Sequence, residues 1–210
     1  MNMDFNLFTP TKLLFGRGKL NELGNQKLPG RKALLLISSG QSVKTSGTLD
    51  RVTAQLDKAG AAYVICNNIH ENPSKEVVME AAACAKGNGC DFILALGGGA
   101  VLDSAVAVAA MATNPGDLWD YVCGGTGKAQ PLLHPGLPIV TIATTSGTGS
   151  EINCWGVISN HETNEKIGFG DPSLNPVLAI VDPELMRTVP AEYTAYQGFD
   201  ALFHNTEVMI

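Results

Sequence analysis

The stretch Asp91 to Asp103, DFILALGGGAVLD, constrains this chain more than any other part of it. A short apolar run breaks into three glycines and restarts as a helix-prone segment. A strand that feeds a glycine turn and then a helix leaves free backbone N–H groups converging on one spot, where the helix dipole also favours an anion. Glycine permits the tight turn and lets a diphosphate approach the main chain closely. The same pattern also serves as a plain strand-to-helix connection without a ligand, so the surrounding chain has to decide between the two.

From Ala33 to Val181 strand-like and helix-like segments alternate. ALLLI, Ala33 to Ile37, has the continuous apolar character of a strand buried on both faces, and it ends in Ser38-Ser39-Gly40-Gln41-Ser42. Leu49, Val52, Leu56 and Ala59 recur at helical spacing before Gly60, which stands where a glycine stop belongs. Ala61 to Cys66 reads as the next strand, Pro73 and Ser74 open a helix through Ala85, and Phe92 to Leu96 supplies a third strand. The glycine turn then introduces a helix, Val101 to Met111, buried on most of its surface. Asn114 to Gly136, with Pro115, Pro131, Pro135 and a Gly124-Gly125 pair, reads as a long irregular excursion of the kind that often carries function.

Pro138 to Ala143 is a strand that runs into Thr144-Thr145-Ser146-Gly147-Thr148-Gly149-Ser150-Glu151. Trp155 to Ile158 and Lys166 to Phe169 form a hairpin, Val177 to Val181 a last strand, and Lys12 to Phe15 an edge strand or hairpin near the start. The fold class is therefore α/β: a Rossmann-like, mostly parallel sheet covered by helices, whose ligand crevice lies beyond the carboxyl ends of the strands. Ser38 to Ser42, Gly97 to Gly99 and Thr144 to Ser150 should face that one cleft.

In the hydroxyl-rich loop, Thr148 and Glu151 stand three apart and could form a helix capping box. Five hydroxyls and two glycines exceed what a cap requires, and they suit hydrogen bonds to a diphosphate, ribose or nicotinamide. From Ala191 the composition turns helical. There Asp200 and His204, four apart, put a carboxylate and an imidazole on one helix face, a spacing that serves two ligands of one divalent metal or an ordinary surface pair. His70, His134 and His161 lack comparable partners and read as solvated or locally hydrogen-bonded.

Net charge −6 without a Lys/Arg cluster excludes nucleic acid as an expected partner. MNMDFNLF carries no basic region followed by an apolar core, and no apolar run approaches the ~20 residues that span a bilayer. The expectation is a soluble, cytoplasmic protein with no membrane partner. Five cysteines without C-x-x-C spacing suggest reduced thiols rather than a disulfide framework or a thiolate zinc site.

GGGAVLD, TTSGTGSE, DPELMRTVP (Asp182 to Pro190) and GFDALFHNTE, in that order, resemble the iron-containing (group III) alcohol dehydrogenases, especially their butanol dehydrogenase-like branch. TPTKLLFGRG is similar to that family's amino-terminal strand. The resemblance implies a dinucleotide-binding α/β domain over residues 1–185 and, over 186–210, the start of an all-helical metal-binding domain, so that the chain looks like the amino-terminal half of such an enzyme. It implies phosphate contacts at Gly98, Gly99 and Ala100, where Ala replaces the family's usual Ser at the last position, and Gly97 of the same turn is a further cofactor-site candidate. It also implies cofactor contacts at Thr144, Thr145, Thr148 and Lys166, and a catalytic divalent metal, Fe2+ or Zn2+, on Asp200 and His204. Two further His ligands belong, in the family, to the helical domain.

The implied reaction is reversible hydride transfer between NAD(P)(H) and an alcohol or aldehyde, with a homo-oligomer as the expected assembly. The alternatives are a dinucleotide-binding fragment without turnover and a glycerol dehydrogenase-like or dehydroquinate synthase-like relative. The loop Ser39, Gly40, Ser42 carries no acid to repel a 2′-phosphate, and Lys44 follows, so NADP(H) is the favoured cofactor and NAD(H) a possible one.

Overall fold

The computed structural model of the chain describes residues 8–207. The sequence readings of a missing leader at residues 1–7 and of a helix cut at Ile210 fall outside them. Six strands form one sheet in which every neighbouring pair is parallel. They are β1 (Lys12–Phe15), β2 (Lys32–Ser38), β3 (Ala62–Ile69), β4 (Phe92–Gly97), β5 (Ile139–Ala143) and β8 (Leu178–Val181), in the order β1-β8-β5-β4-β2-β3. A two-stranded antiparallel hairpin, β6 (Trp155–Asn160) with β7 (Glu165–Gly170), stands apart from it. The helices are α1 (Ser42–Thr45), α2 (Thr48–Lys58), α3 (Lys75–Gly87), α4 (Gly99–Met111) and α5 (Ala191–Glu207).

The side-chain alternation of β2 sorts the core into two layers. Leu34 and Leu36 pack with Val78 of α3 and Ala105 of α4, whereas Leu35 and Ile37 pack with Val52 and Leu56 of α2. Both faces of the strand are thus dry, which is why its sequence reads as an unbroken apolar run. After β2 the chain crosses outward to β3, and after β4 it crosses the opposite way to β5. The connections leaving β2 and β4 therefore diverge, and a crevice opens between them at the carboxyl ends of the strands.

Three sequence readings change in detail. The strand expected at Ala61 to Cys66 runs on to Ile69, with a register shift between Leu36 and Ser38 of its neighbour. No helix follows Thr148, so it is not a capping residue: its Oγ1 accepts the Ser150 N–H at 3.2 Å, and the chain turns into β6. The excursion from Asn114 to Gly136 serves the scaffold rather than the crevice. Asn114 is buried and anchors it, accepting the N–H groups of Leu133 and His134 and donating to the His134 carbonyl. Glu165 fastens the rest to the hairpin by accepting from Trp119 Nε1 at 2.9 Å, Thr126 N at 2.8 Å, and the Thr126 and Thr163 hydroxyls at 2.6 Å. Those donors hold its carboxyl well below the usual range, at about 2.

At the sheet edge, among the described residues, β1 pairs only with β8. Asp182, fully buried, ties the following segment down by accepting the N–H groups of Gly18, Leu20 and Glu184.

Candidate functional site

A cavity of about 420 Å³ lies at the carboxyl ends of β2 to β5. Ser38 and Ser42 line it from the end of β2, His70 and Glu71 from the end of β3, and Gly98, Gly99 and Ala100 from the start of α4. Thr144 and Thr145 close it from the end of β5, Thr188 from the approach to α5, and Tyr193 and Gln197 from α5 itself.

The glycine turn takes its shape from β4 ending one residue before α4 caps. Gly97 is the last strand residue, Gly98 the extended cap and Gly99 the first helical residue, two positions earlier than the sequence pattern indicates. The first bond into the helix is Val101 N–H to the Gly98 carbonyl at 3.0 Å, so the N–H groups of Gly99 and Ala100 precede the ladder and face the cavity end of the helix. A Cβ on Gly97 would stand 2.6 Å from Val101 Cγ2, one on Gly98 2.9 Å from Thr145 Oγ1, and one on Gly99 2.9 Å from Thr148 Cγ2. Turn and hydroxyl loop therefore touch only because Gly98 and Gly99 lack a side chain, while a bare Gly97 lets the first turn of α4 pack close against the end of β4. This cradle fits a diphosphate: unpaired N–H groups, a helix dipole, and hydroxyls across the gap.

The expected site residues divide into two groups. Ser42, Gly98, Gly99, Ala100, Thr144 and Thr145 come together on the cavity wall. Ser39, Gly40, Gly97, Thr148 and Lys166 stand behind or beside it. Ser39 Oγ lies 2.9 Å from His70 Nδ1 and so braces a residue that does line the cavity. Thr144 N–H donates to the Gly97 carbonyl, which locks the glycine turn to the hydroxyl loop at 3.0 Å. Lys166 on β7 donates to Asn72 Oδ1 at 2.7 Å.

Sequence reasoning missed Glu71, His70 and Gln197. Strand order would have found the first two, because β3 neighbours β2 and its end must share the rim. Asp103, also in the opening motif, accepts the Val157 N–H at 3.0 Å, and burial raises its carboxyl above the usual range. It joins α4 to the hairpin.

Asp200 and His204 lie on α5 with Nε2 3.5 Å from Oδ1, and Glu207 Oε2 is 3.6 Å from His204 Nδ1. Their donor types, carboxylate oxygen and imidazole nitrogen, match the preferences of iron and zinc. Among the described residues no group of three or more His, Cys, Asp or Glu is arranged to hold a metal. The helix rests against the hydroxyl loop: a Cβ on Gly147 would be 2.7 Å from the Gln197 carbonyl and 3.0 Å from Asp200 Oδ2.

A parallel sheet with opposed crossovers and a strand-end cavity is the Rossmann-like, nucleotide-binding architecture. Residues 10–183 match the model of the iron-containing alcohol dehydrogenases, and the chain belongs to that family. It is 42% identical over 201 residues to the probable NADH-dependent butanol dehydrogenase 1 of Bacillus subtilis, covering 96% of this chain and 51% of that protein. It is 34% identical over 204 residues to the NADPH-dependent aldehyde reductase YqhD of Escherichia coli, covering 97% and 51%. The crystal structure of NADH-dependent butanol dehydrogenase A from Thermotoga maritima superposes with a TM-score of 0.88 at 37% identity, over 96% of this chain and 50% of that one. The chain thus spans about half the length of these relatives. Among the described residues no helix is long and apolar enough to cross a membrane.

Proposed function

We infer that this chain binds NAD(P)(H) in the strand-end cavity and contributes that half of an active site for reversible hydride transfer between the nicotinamide and a small alcohol or aldehyde. The observation that carries the reading is the glycine turn at the cavity wall, with Gly98 and Gly99 pressed against Thr145 and Thr148 and the N–H groups of Gly99 and Ala100 ahead of the helix ladder. Residues 1–185 form the dinucleotide-binding domain in this reading, and residues 186–210 begin the metal-binding one. The diphosphate sits at the N–H groups of Gly99 and Ala100, one nucleoside extends toward Ser42 and His70, and the nicotinamide extends toward Thr144 and α5. The similar proteins, a probable butanol dehydrogenase and an aldehyde reductase, support the substrate class, and a homo-oligomer is the assembly we expect.

Asp200 and His204 would hold a divalent metal, Fe2+ or Zn2+, which when bound supplies a Lewis acid beside the reacting oxygen. Around it, this chain's residues orient the cofactor, and the apolar cavity wall at Val101, Leu185 and Val189 keeps water from the ring. The test is a pair of titrations on the 210-residue chain. NADH fluorescence should report saturable binding that Gly98→Ala weakens at least tenfold, whereas Fe2+ or Zn2+ should bind weakly and support little alcohol oxidation. No NADH binding by the folded chain refutes the cofactor reading; tight stoichiometric metal binding with robust turnover refutes the division of the site.

A further inference from the structure

Gln197 is the one α5 residue whose side chain is clamped to the sheet domain by two hydrogen bonds. The Ser146 N–H and the Ser146 hydroxyl both donate to its Oε1, each at 2.9 Å. An amide whose oxygen receives two donors is fixed in orientation. Its Nε2 is therefore turned away from Ser146, and among the described residues no hydrogen bond engages it, although the residue lines the cavity. Two unengaged N–H donors thus belong to a lining residue that shares the cavity with Thr144 and Thr145 and that approaches Gly147 together with Asp200.

We propose that Gln197 binds the nicotinamide carboxamide: Nε2 donates to the carboxamide oxygen, and the Ser146 clamp holds the donor in place. The proposal rests on the dinucleotide reading of the cavity. With the diphosphate at the start of α4, the nucleoside directed toward Asp200 is the one that exchanges hydride, and an amide donor complements a carboxamide acceptor better than it does a ribose or an adenine face. The backbone carbonyl of Gln197 and the Asp200 carboxylate both crowd Gly147, so the same contact also sets how α5 sits against the loop. Ring position and the proposed metal ligand are then referenced to one residue.

The experiment compares NADH with ADP-ribose, which keeps the adenosine, diphosphate and second ribose but lacks the nicotinamide. Gln197→Glu retains an acceptor for Ser146 and removes the Nε2 donors, while Gln197→Met removes both; circular dichroism verifies that each variant folds. Both should weaken NADH binding about tenfold, the size expected for one lost hydrogen bond, and leave ADP-ribose binding unchanged. Unchanged NADH affinity in the Glu variant, or equal losses for NADH and ADP-ribose, overturns the assignment. If the parent binds ADP-ribose but not NADH more tightly, the cavity still holds a dinucleotide and only the Gln197 contact is lost; if the parent binds neither, the cavity reading itself fails and the contact with it.

Discussion

Replacing Gly97 by alanine should separate what the glycine turn does for stability from what it does for binding. Gly97 is fully enclosed at the end of β4, and its φ is not in the left-handed region, so backbone strain plays no part. The penalty is steric. A Cβ there would lie 2.6 Å from Val101 Cγ2 and 2.8 Å from Val101 Cβ, with α4 unable to tilt freely because its other face carries the hairpin. Overpacking of this kind costs about 1–3 kcal/mol. For a chain of this size about 2 kcal/mol corresponds to a melting temperature lower by roughly 4–8 °C. Relief comes most easily by moving the first turn of α4 outward, which displaces the N–H groups of Gly99 and Ala100, so NADH affinity should fall together with stability. Val101→Ala removes the two methyls but keeps the Cβ at 2.8 Å, so the double variant should recover part of the loss and not all of it, a coupling that thermal melts in a double-mutant cycle resolve. A Gly97→Ala variant that melts with the parent, or a double variant that is simply additive, refutes the steric argument.

Glu165 predicts an acid transition. Its folded-state value is depressed to about 2 by the Thr126, Thr163 and Trp119 donors, so the clamp contributes stability above the ordinary range near 4.5 and loses it as pH falls toward 2. Melting curves of Glu165→Gln should show a flatter dependence between those limits than the parent. Titration with both cofactors should give tighter binding of NADPH than of NADH; Ser39→Asp should reverse the order, and Glu71→Gln, by removing the carboxylate on the cavity wall, should increase the NADPH preference about tenfold. NADH binding more tightly to the parent would end that argument. Iodoacetamide at neutral pH should alkylate the exposed Cys123 first and spare Cys66, whose thiol burial pushes up to about 11; peptide mass spectrometry reads the order, and early loss of Cys66 would contradict it.

The sheet was legible because burial on two faces leaves an unmistakable mark. Ala33 to Ile37 and Phe92 to Leu96 are apolar without interruption, and the glycines between Leu96 and Ala100 fix where the strand must stop. The hairpin was legible from its polar turn. The rim of the cavity was legible only in part. Ser42, Gly98, Gly99, Thr144 and Thr145 belong to loops that announce their chemistry by composition, whereas Glu71 looks like any surface acid until strand order sets β3 beside β2. Thr148 failed as a cap for a related reason: a capping box is a local pattern, but the chain after Glu151 is drawn into β6 by the close approach of Gly156 to Asp103 on α4, a tertiary contact with no local sign. Gln197 is equally silent in sequence, since its importance depends on a loop fifty-one positions earlier.

Helix α5 has no buried residue along its length, while α4 and β4 are almost wholly enclosed. Amide protons of β4 should accordingly exchange with solvent only through opening of the whole domain, and those of α5 through a local opening that needs little more than release of Ser146 from Gln197. The two ends of the cavity then belong to different cooperative units. Deuterium uptake would label Ala191–Glu207 long before Phe92–Gly97, and a ligand touching both would slow the faster one, so protection of α5 becomes a measure of how far along the cavity the ligand reaches.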